Sequence, residues 1–182
     1  LEAKRSGIVL LPEDRKTQGL LLEMPITQNI SVVGLEKVKN KFRLLSRGTE
    51  KEEAMKYFKT LKIKAPSATQ RVSFLSGGNQ QKVCLARALT LEPEVLFVSE
   101  PTRGIDIGAK KLVLEYLAKL NRELGMTVVI VSSELMELRS ISDRIAIISD
   151  GRLACILKPD DSDADFGLAM SGAWKGGQGD EN

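Results

Sequence analysis

The sequence predicts an α/β fold in which helices pack against a mostly parallel sheet. Three observations carry that expectation. Short continuous apolar runs at 8–11, 95–98, 128–131 and 145–148 read as strands, those at 8–11 and 95–98 as buried ones. Segments of helical period separate them, the longest from Ala109 to Leu124. Their order along the chain then alternates strand, helix, strand, which joins parallel neighbours rather than hairpins.

In chain order, Ile8-Val9-Leu10-Leu11 is a strand ended by Pro12, and Glu13 to Gly19 is a charged loop. Thr27 is placed to cap a short helix starting near Gln28, and the basic stretch 36–49 is a surface connection. A helix is expected from Lys51, with Ala54, Met55, Phe58, Leu61 and Lys62 on one side and Glu52, Glu53, Lys56 and Lys59 on the other, closed by Pro66. A further helix runs from Ser76 to about Leu91, with Val83, Ala86 and Leu89 on its buried face. After the strand at 95–98, the helix 109–124 turns Leu112, Val113, Tyr116, Leu117 and Leu120 inward and stops at Gly125. A short helix lies near Glu134–Arg139, and Asp150-Gly151 turns the strand at 145–148 back into a hairpin partner at 153–157.

Composition excludes several function classes. The chain has 182 residues, a net charge of +3 and no histidine, so His-based triads and imidazole metal sites are ruled out. Only 4% of residues are aromatic, which disfavours a basic, base-stacking nucleic-acid groove. Cys84 and Cys155 sit in apolar runs and read as reduced core residues. No apolar run is long enough to span a membrane as a helix. The start at Leu1 and the glycine-rich end predict an excised segment of a longer polypeptide, with 173–182 a disordered tail.

Three places could hold chemistry. Ser76-Gly77-Gly78 opens a helix, where N–H groups and the dipole favour an anion and glycines allow close approach. Alone, such a stretch is more often a capped helix with a permissive turn. Glu100 follows the apolar run 95–98, at the strand edge where open α/β sheets bind ligands, and could orient a water beside a phosphate. It could equally be a strand-ending carboxylate that meets solvent. Asp106, in Arg103-Gly104-Ile105-Asp106, is either a functional acid or a helix N-terminal charge.

The joint order of these pieces, ending with Ser132-Ser133 after the run 128–131, resembles the nucleotide-binding cassette of ABC transporters. The closest likeness is to the C-terminal cassette of tandem-cassette ATPases of simple-sugar and nucleoside importers. It covers about residues 7–171 and rests on Pro12 to Lys16, Leu75 to Lys82, Glu100 to Asp106 and Ser142 to Ile145; Gly167 to Gly172 leans toward the nucleoside type. The resemblance implies a partial P-loop NTPase (RecA-like) parallel sheet plus an ABC helical subdomain. Residues 1–172 would be the C-terminal part of the nucleotide-binding domain, with 14–91 the mainly helical and signature part and 92–158 the second part of the core. It further implies that Ser76, Gly77, Gly78, Asn79 and Gln80 form the signature, closing over the γ-phosphate of ATP held by an opposite cassette. Glu100 would be the catalytic glutamate, Asp106 the D-loop aspartate and Glu13 the occupant of the Q-loop position. ATP and Mg²⁺ would serve the full-length protein, with neither held tightly here. Implied partners are an N-terminal cassette or a second copy, a membrane permease and, indirectly, a solute-binding protein, at the cytoplasmic face of the membrane; nucleic acid is not one.

The sequence departs from the family pattern in three ways. No G-x-x-x-x-G-K-[ST] occurs in it, so the Walker A strand and loop are missing, and the family places them upstream of Leu1. Ser99 stands at the Walker B aspartate position, where a hydroxyl is a poor partner for Mg²⁺-bound water. Ser133 stands at the switch-histidine position. The expectation is an asymmetric pair, in which this cassette lends an intact signature to its partner while its own site is degenerate. Gly78→Asp should then harm transport far more than Glu100→Gln, and the isolated chain should be inactive. The alternatives are a soluble ABC-type ATPase without a permease and a non-hydrolytic interaction module. The strands at 8–11, 95–98 and 128–131 should still pair side by side, while 145–148 loses a neighbour.

Overall fold

Ile8–Leu11 forms β1, Val95–Ser99 β2 and Thr127–Val131 β3, and the three make a parallel sheet in that order. The register sets Ile8 beside Val95, Leu11 beside Val98 and Ser99 beside Val131. The structure is a computed structural model that describes residues 2–39 and 44–174. Branched and apolar side chains suit the pleat, and the alternation decides what each face meets. Leu11, Leu96 and Val98 are buried, while Leu10, Phe97 and Val131 on the opposite face are exposed. The expected pairing of these three strands is what the structure contains.

The chain divides into two compact units, Leu1–Ser133 and Glu134–Asn182. The subdivision expected at 91/92 therefore falls inside the first unit. Before β1 lies one helical turn, α1 (Glu2–Arg5), and Gly7 turns the chain at φ +68°. After β1 the expected loop is instead a wide helical turn, Arg15–Gly19, because the Asp14 carboxylate accepts the N–H groups of Lys16 (2.9 Å) and Thr17 (3.3 Å). Next comes α2 (Ile26–Ser31), which Thr27 does not cap. Its leading N–H groups bond to Gln70 O (3.0 Å) and Ala68 O (3.1 Å), so a distant segment does the capping and Thr27 is buried.

Helix α3 (Arg47–Thr60) begins earlier than expected because the Ser46 hydroxyl caps it through Thr49 N–H at 3.3 Å. It stops well before Pro66, and Lys62 follows at φ +50°. Its fully buried positions are Ala54 and Tyr57, whereas Met55 and Phe58 are half-buried. The Tyr57 hydroxyl donates to Leu89 O at 2.9 Å, satisfying a carbonyl at the end of α4 (Gly77–Leu89).

α4 is the spine of the first unit. Val83, Leu85 and Ala86 are fully buried, and even Gln81 and Lys82 are almost inaccessible. The Lys82 ammonium donates to Lys62 O at 3.1 Å. Burial, reinforced by nearby Lys64, lowers the Lys82 pKa. Gly19 rests on this helix: a Cβ there would come 2.5 Å from Cys84 Sγ. Burial raises the Cys84 thiol to about 11, as befits a packed, unreactive side chain. α5 (Ile107–Arg122) buries Val113, Leu114, Leu117 and Leu120, leaving the expected core residue Leu112 at the rim.

The second unit holds α6 (Leu135–Ile141), β4 (Ile145–Ser149), β5 (Arg152–Leu157) and α7 (Asp163–Met170). β4 and β5 form the expected antiparallel hairpin, turned by Asp150 (φ +50°) and Gly151 (φ +73°). Among the described residues they form a sheet of their own. α7 was not anticipated. Ser162 starts it, accepting Asp165 N–H at 3.2 Å and donating its hydroxyl to the Asp165 carboxylate at 2.7 Å. Phe166 and Ala169 then pack with Ile145, Ile147 and Leu157. The tail expected at 173–182 lies outside the described residues from 175 onward.

Candidate functional site

The N-terminus of α4 is built differently from a simple cap. Ser76 holds the N-cap backbone position (φ −62°, ψ 156°), yet its side chain accepts no helix N–H. The Ser76 oxygen instead accepts from Asn79 Nδ2 at 3.0 Å. The other end of Asn79 accepts the Lys64 N–H at 2.8 Å. Gln80 turns inward and donates to Val72 O at 3.2 Å. Asn79 and Gln80 thus support the turn from beneath, and Ser76 stands exposed at its tip. The first-turn N–H groups receive no side-chain cap, which suits an anion acceptor.

The glycines have a second reason to be there. A Cβ on Gly77 would lie 2.8 Å from Gly104 O and 2.9 Å from Arg15 Nη2. On Gly78 it would lie 2.5 Å from Ala109 Cβ and 3.3 Å from Asp106 Oδ2. Asp106 is the N-cap of α5, its Oδ1 accepting Ala109 N–H at 2.9 Å. Close packing therefore sets the start of α4 directly against Asp106.

Glu100 follows β2 in a left-handed conformation, φ +46°, rare for a residue with a side chain. Its N–H bonds to Val131 O at 2.8 Å. The carboxylate is clasped by one residue: Oε1 accepts Ser133 N–H at 2.7 Å and Oε2 the Ser133 hydroxyl at 3.3 Å. Ser99, the last residue of β2, is half-buried beside Val131.

A third cluster joins the turn after β1 to the turn 100–106. The Arg15 guanidinium donates to Arg103 O (2.7 Å) and Gly104 O (3.1 Å), while the Glu13 carboxylate pairs with the Arg103 guanidinium. With Asp14 and Lys16 they line a cleft of about 310 Å³. Hydrogen bonds from the Thr17 hydroxyl, then from the Thr17 and Lys16 amides, hold the Asp14 pKa below its usual value.

The turn 100–106 thus brings most of the expected residues together: Glu100 with Ser133 at one end, Asp106 with Gly78 at the other, and Glu13 across its middle. Nothing in the Pro12 to Lys16 stretch signals the role of Arg15, because its contacts lie 88 and 89 residues away. Among the described residues no three of His, Cys, Asp and Glu cluster. Anion acceptance at the start of α4 is the chemistry this arrangement fits.

Comparison with known proteins agrees in direction. The family model described as ABC transporter matches residues 2–103. A ribose import ATP-binding protein of Clostridium perfringens (strain SM101 / Type A) is 44% identical over 88% of this chain and 32% of its own length. A xylose import ATP-binding protein of Moorella thermoacetica (strain ATCC 39073 / JCM 9320) is 45% identical over 84% of this chain and 30% of its own. The chain thus spans about a third of the length of these curated relatives. Among solved structures, the ATP-binding cassette MJ0796, a dimer in a post-hydrolysis state bound to ADP and Pi, matches with a TM-score of 0.73 and 25% identity, covering 87% of this chain and 65% of that one.

Proposed function

The chain belongs to the ABC transporter family, and from that premise we propose that it is part of the ATPase subunit of an importer that couples ATP binding and hydrolysis to uptake of a simple sugar or nucleoside. The observation that carries this reading is the start of α4. There the first-turn N–H groups carry no side-chain cap and Ser76 is exposed, with Asn79 and Gln80 bracing the turn. In this reading they accept the γ-phosphate of an ATP held by a partner cassette, either the N-terminal cassette of the same polypeptide or a second copy. Ser76, Gly77 and Gly78 meet the ligand, and Asp106 links the two sites.

This cassette's own site is the weaker half. Ser99 and Ser133 stand where the family carries a carboxylate and an imidazole. Glu100 stands where the catalytic glutamate belongs, but its carboxylate is tied to Ser133 on both oxygens. In this reading the partner's half hydrolyses ATP with Mg²⁺, while this cassette's own site mainly binds or barely cycles.

The relatives' names, ribose and xylose import proteins, favour a pentose over a nucleoside. Partners on this reading are permease subunits and, through them, a solute-binding protein, with the chain at the cytoplasmic face of the membrane. No helix among the described residues is long and apolar enough to cross the membrane. Affinity purification of the full polypeptide from detergent-solubilised membranes tests the proposal. It should bring down an integral membrane permease, and ATP turnover in reconstituted vesicles should rise with a pentose and its binding protein. Co-purification with ribosomes or DNA, without a permease, would instead favour a soluble ATPase.

A further inference from the structure

We propose that Arg15 is a positioning residue that locks the Asp106-bearing turn and the start of α4 into one unit, so that the phosphate-accepting amides and Asp106 move together. The proposal rests on the importer reading for its activity assay, but its geometry stands alone. Asp14 caps the turn after β1 through the N–H groups of Lys16 and Thr17, which fixes where Arg15 leaves the backbone. From there the planar guanidinium donates to two successive carbonyls, Arg103 O and Gly104 O. The same two segments are joined a second time by the Glu13–Arg103 ion pair, running in the opposite sense. One bond would leave the turn free to pivot, whereas two at separate points hold its orientation.

The third member is Gly77. Its backbone lies so close to the Arg15–Gly104 contact that a Cβ would come within 2.8 Å of Gly104 O and 2.9 Å of Arg15 Nη2. Gly104 itself adopts φ +67°, a conformation that favours glycine. Arg15 Nε is inaccessible and makes no hydrogen bond among the described residues. Nε is thus covered while Nη1 and Nη2 engage two carbonyls, and those carbonyls belong to the turn that leads into Asp106.

The test uses the full polypeptide assembled with its permease and compares wild type with Arg15→Ala, Arg15→Lys and Glu13→Gln. Two readouts are taken: the kcat and KM of ATP hydrolysis, and amide hydrogen exchange over residues 103–110 against residues 83–89. Arg15→Ala should lower kcat on the order of tenfold to a hundredfold, as misplacement of a site by a fraction of an ångström does, with KM for ATP within about twofold. Exchange at 103–110 should rise on the order of tenfold while 83–89 stays protected. Arg15→Lys, which keeps the charge without the fork, should fall between, and Glu13→Gln should give the same pattern more mildly. Unchanged exchange at 103–110 in Arg15→Ala, or equal loss of protection across both segments, would overturn the proposal. A wild-type protein without nucleotide turnover would count against the importer reading, and the exchange comparison would still decide the role of Arg15.

Discussion

Gly78→Ala separates a glycine kept for close packing from one kept only for ligand approach. The added methyl would sit 2.5 Å from Ala109 Cβ and 3.3 Å from Asp106 Oδ2. Carbon atoms rest at about 3.5–4.0 Å, so α4 and the first turn of α5 must part by about 1 Å. Overpacking of this kind costs about 1–3 kcal/mol, and disturbing the Asp106 cap adds to it. Against this, alanine in a helix gains up to about 1 kcal/mol over glycine. The expected net loss is about 1–2 kcal/mol. Ala109→Gly removes the opposing methyl, so the double variant should recover most of the loss beyond the helix cost of the new glycine. Native-state hydrogen exchange at 77–89 and 107–122 reads the change within the first unit. A Gly78→Ala protein as stable as wild type, or a double-mutant cycle additive within about 0.5 kcal/mol, would refute the packing account.

The remaining predictions are briefer. Asp106→Ala should cost about 0.5–2 kcal/mol through the lost bond to Ala109 N–H, read as faster exchange in the first turn of α5. Cys84 should shape the alkaline limb of stability. Its folded pKa, about 11, lies above the usual 9.0, so its contribution is complete below about pH 9 and is lost as pH rises through about 11. The loss amounts to about 2–3 kcal/mol. Lys82 acts in the opposite sense, since its lowered pKa means the cost of burying its charge is relieved as pH climbs through the window just below 10.5. Cys84→Ala should therefore flatten the fall of the urea midpoint between about pH 9 and 11; an unchanged slope would contradict this. Finally, the purified 182-residue chain should hydrolyse no ATP above background in a phosphate-release assay, and measurable turnover would contradict the assignment of hydrolysis to the partner's half.

The strands were legible because short runs of branched and apolar residues favour extended backbone, although only alternate residues of those runs are buried, and the β4–β5 hairpin because Asp150-Gly151 suits the left-handed pair its turn needs. What stayed hidden depends on distant partners. Thr27 looked like a cap, but the donors at the head of α2 are satisfied by Ala68 and Gln70. The buried stripe of α3 runs through Tyr57 rather than Phe58, because the Leu89 carbonyl offers the phenol a partner. Arg15 reaches across 88 residues, a distance no local period encodes. The packing of Gly77 and Gly78 on Gly104 and Ala109 was not legible, because those partners lie far along the chain. For α7, Ser162 and Asp165 at capping-box spacing were the overlooked signal.

The central claim is that this cassette contributes through its signature and little through its own Glu100. Because Gly78 is also a packing residue, Gly78→Asp confounds function with folding, and Ser76→Asp is the cleaner probe. Ser76 is exposed, and aspartate is as good an N-cap as serine, so stability should be kept while a carboxylate confronts the phosphate. In the reconstituted transporter, Ser76→Asp should lower ATP turnover on the order of a hundredfold or more, as loss of charge stabilisation at a reacting centre does. Glu100→Gln should change it by less than about threefold. Equal loss in both variants, or a near-normal rate in Ser76→Asp, would contradict the account.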